Sequence, residues 1–168
     1  KVSSDDFDAF KSYNFPSLAE VGVKINFNHN YLLKNNFKEF NYVKGFDPSI
    51  NIVFFYPGII IKNVIKSIRS NSSKVVVLMS YGSGNLPIEN ELVEFLNSSE
   101  KIFLNVSQCK AGKIEQEKYE TGMQLKKASV IGVKDMTLET VIVKSMLYIN
   151  KYPFDKDKFA NVLLSNIA

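Results

Sequence analysis

Val75-Val-Val-Leu-Met-Ser80-Tyr-Gly-Ser-Gly-Asn85-Leu-Pro87 is the stretch on which the fold reading turns. Its apolar, β-branched run stops at a Gly-x-Gly-Asn turn, the pattern of a strand buried on both faces that hands one polar amide to an exposed rim. In open α/β sheets, ligands sit outside the carboxyl ends of the strands, so Asn85 is the first candidate for contact with a ligand.

Upstream, Ile50 to Tyr56 reads as a strand ending at Pro57-Gly58. Ile61, Val64, Ile65 and Ile68 then recur at helical spacing, with Lys62, Lys66 and Arg69 on the opposite face. Downstream of the turn, Ile88, Leu92, Phe95 and Leu96 share one helical face, and Ile102 to Val106 is a third strand leading into Ser107-Gln108-Cys109. Tyr119 to Lys127 is expected to be helical, Val130 to Val133 a short strand, and Thr137 to Tyr148 a helix capped by Asp135. Strands alternating with helices predict an α/β fold: a small flavodoxin-like three-layer sandwich on a mainly parallel four-stranded sheet. The first fifty residues are polar and turn-rich, with short aromatic stretches such as Val23 to Phe27. They predict a linker followed by one or two edge strands.

At 168 residues the chain is long enough for one domain that buries roughly 70% of its unfolded surface. Apolar residues make up 45% and charged residues 23%, and no apolar run approaches the ~18 residues of a membrane span. No membrane partner is expected. The net charge of +4 comes from scattered lysines (Lys62, Lys66, Lys74, Lys101, Lys126, Lys127), so no nucleic-acid partner is expected either. The asparagines Asn26, Asn28, Asn30, Asn35 and Asn36 are read as compositional bias. A single cysteine, Cys109, excludes an internal disulfide framework and a cysteine-rich zinc site, and points to the reducing cytoplasm. The chain begins at Lys1 without a methionine, which predicts a piece of a longer protein.

Four loops are expected to gather on one rim: Pro57-Gly58, Tyr81 to Pro87, Ser107 to Gly112, and Gly132 to Asp135. They offer amides, hydroxyls and a thiol but few strong bases. The only histidine, His29, lies among asparagines far along the chain from Ser80, Ser83 and Ser107, leaving those hydroxyls without a base to activate them. Gly82 and Gly84 lack the third glycine of a dinucleotide loop and are read as turn residues. Glu115 and Glu117 are carboxylates able to hold an ammonium group. By its residues alone, this is a ligand-facing α/β domain whose site must be completed from elsewhere.

Several motifs then agree. Asp8-Ala-Phe10-Lys-Ser12-Tyr-Asn14-Phe-Pro16-Ser-Leu-Ala-Glu-Val-Gly22, Tyr56-Pro-Gly58, Ser80-Tyr-Gly-Ser-Gly-Asn85, Asn105-Val-Ser-Gln-Cys109-Lys-Ala-Gly112, Tyr119-Glu-Thr-Gly122 and Asp135-Met-Thr137-Leu-Glu139 together resemble the carboxyl-terminal half of cytosolic-type (type I) L-asparaginases. Residues 1–22 would then be the interdomain linker and residues 23–168 the carboxyl-terminal α/β domain. The resemblance implies an amidohydrolase that converts L-asparagine and water into L-aspartate and ammonia without metal or coenzyme. Its nucleophilic threonine would lie in an amino-terminal domain that this sequence lacks, so the segment supplies no catalytic nucleophile and is expected to be inactive alone.

The resemblance also implies a homodimer or tetramer in which this domain completes a neighbour's site. Asn85 would be a substrate-binding contributor, and Glu117 would match an acidic position that binds the substrate's amino group. Ser107 and Cys109 match a pair that binds an effector asparagine in some bacterial members, while Met79 stands where those members carry an arginine. Two other readings fit the same layout: the amidase (D) subunit of a glutamyl-tRNA(Gln) amidotransferase, and a non-enzymatic amino-acid-binding regulatory domain.

Overall fold

In a computed structural model, residues 1–32, 44–153 and 155–165 are described. Asn35 and Asn36 fall outside them. The chain divides into two compact units, Lys1–Tyr42 and Val43–Ile167. The first carries a two-stranded antiparallel hairpin of β1 (Ala19–Val21) and β2 (Ile25–Phe27), with Glu20 opposite Asn26. Only β2 falls in the stretch Val23 to Phe27; β1 lies within the expected linker, so the hairpin straddles the expected 22/23 boundary, and the two strands pair with each other as a sheet of their own and not as edge strands of a larger one.

The second unit holds a four-stranded parallel sheet of β3 (Ile50–Phe54), β4 (Val75–Ser80), β5 (Ile102–Ser107) and β6 (Ile131–Gly132), ordered as in the sequence. All six residues of β4 are buried, as are the first five of β5, and that is why their sequence is continuous rather than alternating. The pleat sorts them into two cores. Val76, Leu78 and Phe103 face α1 (Ile61–Ser70), α2 (Asn90–Ser98) and α3 (Glu120–Lys127). Val75, Val77, Met79, Leu104 and Val106 face α4 (Leu138–Tyr148) and α5 (Lys156–Leu164). Full burial of each such side chain stabilises by about 1.5–3 kcal/mol, so the central pair of strands carries much of the fold's driving force. The three-layer α/β sandwich expected from the sequence is what forms.

Three local expectations shift. The strand expected to reach Tyr56 ends at Phe54, because Tyr56 to Ile59 closes a turn in which the Ile59 N–H donates to the Tyr56 carbonyl at 3.1 Å. Asp135 does not cap α4. The cap is Thr137, whose hydroxyl accepts from the Thr140 N–H at 3.3 Å, and Lys134 bends the chain with a φ of 60° before the helix starts. Finally, α5 was not expected, since only Phe159 and Leu163 mark its buried face.

Candidate functional site

The carboxyl ends of the four strands meet in a rim tied together by hydrogen bonds. Gln108, just past β5, reaches across the sheet: its Nε2 donates to the Phe55 and Met79 carbonyls, each at 2.7 Å, and its backbone N–H donates to the Ser80 carbonyl at 2.9 Å. One amide thereby clasps the ends of three strands. The Ser107 hydroxyl donates to the Gly82 carbonyl at 2.6 Å, the Glu115 N–H to the Ser83 carbonyl at 2.9 Å, and the Ile114 N–H to the Lys134 carbonyl at 2.8 Å. Three of the four loops expected at the rim, those at Tyr81 to Pro87, Ser107 to Gly112 and Gly132 to Asp135, are joined in this network, the last through Ile114; Pro57-Gly58 closes its own turn beside it.

The loop bearing Asn85 closes on itself. Tyr81 and Asn85 form an antiparallel bridge with reciprocal backbone hydrogen bonds of 2.9 Å. Gly84 adopts a φ of 115°, and its carbonyl accepts from Asn105 Nδ2 at 2.9 Å. A Cβ at this position would stand 3.0 Å from that same nitrogen and 3.1 Å from Ile114, so both backbone conformation and space call for glycine. With its backbone held this way, the half-buried Asn85 presents a carboxamide whose Oδ1 accepts from the Thr121 hydroxyl at 2.7 Å.

The other candidates are placed as follows. Glu117 is exposed and ion-paired with Lys126, whose ammonium holds its carboxyl below the usual carboxylate range. Glu115 is paired with Lys113 at 3.0 Å and Lys118 at 3.3 Å. Ser107 gives its proton to Gly82 and accepts from the Cys109 N–H at 3.0 Å, while Cys109 itself is exposed. Met79 is 5% exposed and packed in the core facing α4 and α5, an apolar side chain offering no charge to a carboxylate. His29 lies in the other unit, its ring 6.2 Å from that of Phe27. Sequence reasoning gave no role to Thr121, Gln108 or Asn105. Each stood inside a motif already quoted, but what assigns its work is a contact with a residue distant in sequence.

Ser80 donates to the Val106 carbonyl at 3.1 Å, so the hydroxyls of Ser80, Ser107 and Thr121 all donate to carbonyl or amide oxygens. None of these contacts is with a base that would activate a nucleophile. Among the described residues, no group of three or more His, Cys, Asp or Glu side chains is arranged to hold a metal ion, and no helix is long and apolar enough to cross a membrane.

Fold and rim together define a parallel α/β domain that offers oriented amides at one end of its sheet. Residues 49–163 match the Glutaminase/Asparaginase C-terminal domain family, and the chain belongs to it. It is 30% identical over 170 residues to L-asparaginase 1 of Escherichia coli K12, an alignment covering 99% of this chain and 50% of that protein. It is 28% identical to the D-type subunit of the glutamyl-tRNA(Gln) amidotransferase of Thermoplasma volcanium, covering 99% of this chain and 40% of that one. The crystal structure of L-asparaginase I from Vibrio cholerae superposes with a TM-score of 0.86 at 27% identity, covering 98% of this chain and 50% of the other. The chain thus spans half or less of the length of these relatives.

Proposed function

We propose that this chain is the carboxyl-terminal half of a cytoplasmic L-asparaginase, an amidohydrolase that uses water to split the side-chain amide of L-asparagine into a carboxylate and ammonia. The nucleophile belongs to an amino-terminal half, and this domain completes the pocket of a neighbouring protomer in a homodimer or tetramer. Asn85 contacts the substrate and Glu117 stands near its amino group. The bridged Tyr81–Asn85 loop carries the reading: a turn closed by backbone hydrogen bonds holds one half-buried carboxamide at the rim of a domain that matches half of an asparaginase. A pre-positioned amide favours the reacting geometry without reorganising when substrate arrives.

Replacing Asn85 by Ala in the complete enzyme should lower kcat/KM by about 2–4 kcal/mol of transition-state stabilisation, the cost of deleting one polar catalytic contact. The fold should survive, because the side chain's hydrogen bond is to Thr121 at the rim and not to a core group. Unchanged kinetics would remove Asn85 from the site. Likeness to the amidotransferase supports a second reading, in which ammonia is released from glutamine for a partner. Glutaminase turnover that depends on partner and tRNA would favour it. A sensor role would instead show as tight calorimetric binding of asparagine to this domain alone.

A further inference from the structure

The Thr121 hydroxyl donates to Asn85 Oδ1 at 2.7 Å, so the Asn85 carboxamide stands with its oxygen towards α3. A carboxamide carries an acceptor oxygen on one side and an NH₂ group with two donors on the other. With Oδ1 committed to the Thr121 hydroxyl at 2.7 Å, Nδ2 is turned the other way.

Both partners stand on restrained backbone. Asn85 closes the bridge with Tyr81, and Asn105 holds the preceding carbonyl. Thr121 is the second residue of α3, which is anchored by fully buried Leu125. The neighbouring Gly122 lets that helix lie directly on the Gln116 backbone, where an added Cβ would stand 2.4 Å from the Gln116 carbonyl oxygen. The hydroxyl is therefore delivered to Oδ1 by the docking of a helix. Both residues are half-buried at the rim and not sealed in the core.

We propose that Thr121 is a positioning residue that locks Asn85 as a hydrogen-bond donor, so that Asn85 Nδ2 receives an oxygen of the substrate, a carboxylate or a carbonyl, and not its ammonium group. This rests on the asparaginase reading for the identity of the substrate. It divides the labour of recognition: an oxygen acceptor is read by Asn85, and a cationic group must be read by a carboxylate elsewhere.

A double-mutant cycle in the complete enzyme tests it. Thr121→Val keeps the shape of the side chain and deletes the hydroxyl, and it should lower kcat/KM about tenfold, the size of one lost hydrogen bond. Thr121→Ser should return activity to within about twofold. In an Asn85→Ala background, Thr121→Val should cost almost nothing further, because a residue acting through Asn85 has nothing left to position. Asn85→Asp replaces the presented donor by a charged acceptor and should be no more active than Asn85→Ala.

A Thr121→Val loss that persists undiminished beside Asn85→Ala marks a merely structural role and overturns the proposal alone. So does an Asn85→Asp enzyme clearly more active than Asn85→Ala, which would make Asn85 an acceptor. Unchanged kinetics in Asn85→Ala overturns the reading of the site and takes the proposal with it.

Discussion

Gly122 shows how one absent side chain positions a helix. A Cβ there would lie 2.4 Å from the Gln116 carbonyl oxygen and 2.7 Å from its Cα, and neither backbone atom can swing aside as a side chain does. Gly122→Ala should therefore destabilise the domain by about 1–3 kcal/mol through overpacking, even though alanine is the better helix former. Urea unfolding measures this, and an unchanged or raised midpoint would show that α3 tolerates displacement. Asn85 and Thr121 differ sharply in how far the sequence exposes them. Asn85 announces itself because a buried apolar run ends at a Gly-x-Gly turn, a purely local pattern. Thr121 acts on a partner 36 residues away, and a hydrogen bond at that separation has no local signature.

At the scale of elements, β3 and β4 are pinned at their start by a polar clasp. Asp47 Oδ1 accepts from the Ser49 N–H at 2.9 Å and from its hydroxyl, and Oδ2 accepts from Lys74 Nζ at 2.7 Å. The Lys74 ammonium first, then the Ser49 hydroxyl and N–H, lower the Asp47 pKa from 3.8 to about 2. The folded state thus favours the carboxylate more than the unfolded chain does. Its stabilisation is complete above about pH 4 and drains away as the pH falls towards 2. Acid titration of stability should show a steeper decline across that window in the parent than in Asp47→Asn. Parallel curves would mean the clasp contributes nothing. The elements legible in the sequence are those whose burial is continuous or strongly periodic. In β4 and β5 every inward and outward position is apolar up to the closing serine, apart from Asn105 in β5, and α1 repeats its stripe over more than two turns. What escaped is what local pattern does not encode. The start of α4 is set by the backbone turn at Lys134, and α5 offers only one pair of buried residues four apart.

For the whole molecule, the parallel sheet and the layers on both its faces followed from alternation of strand and helix, while the order of the strands, that of the sequence, is given by the structure. The rim network did not follow from that alternation, since Gln108 joins strand ends that only the completed sheet brings together. Among the described residues, β3 is hydrogen-bonded to a neighbouring strand on the β4 side alone, and its Phe54 and Ile52 are 55% and 37% exposed. An open row of peptide groups flanked by greasy side chains is adhesive. Material of this extent should self-associate in a concentration-dependent way, and Phe54→Lys should suppress it in sedimentation runs; equal sedimentation of the two would exonerate that margin. The same stickiness that troubles a biochemist at the bench is, for a polypeptide in its native company, an invitation to be covered.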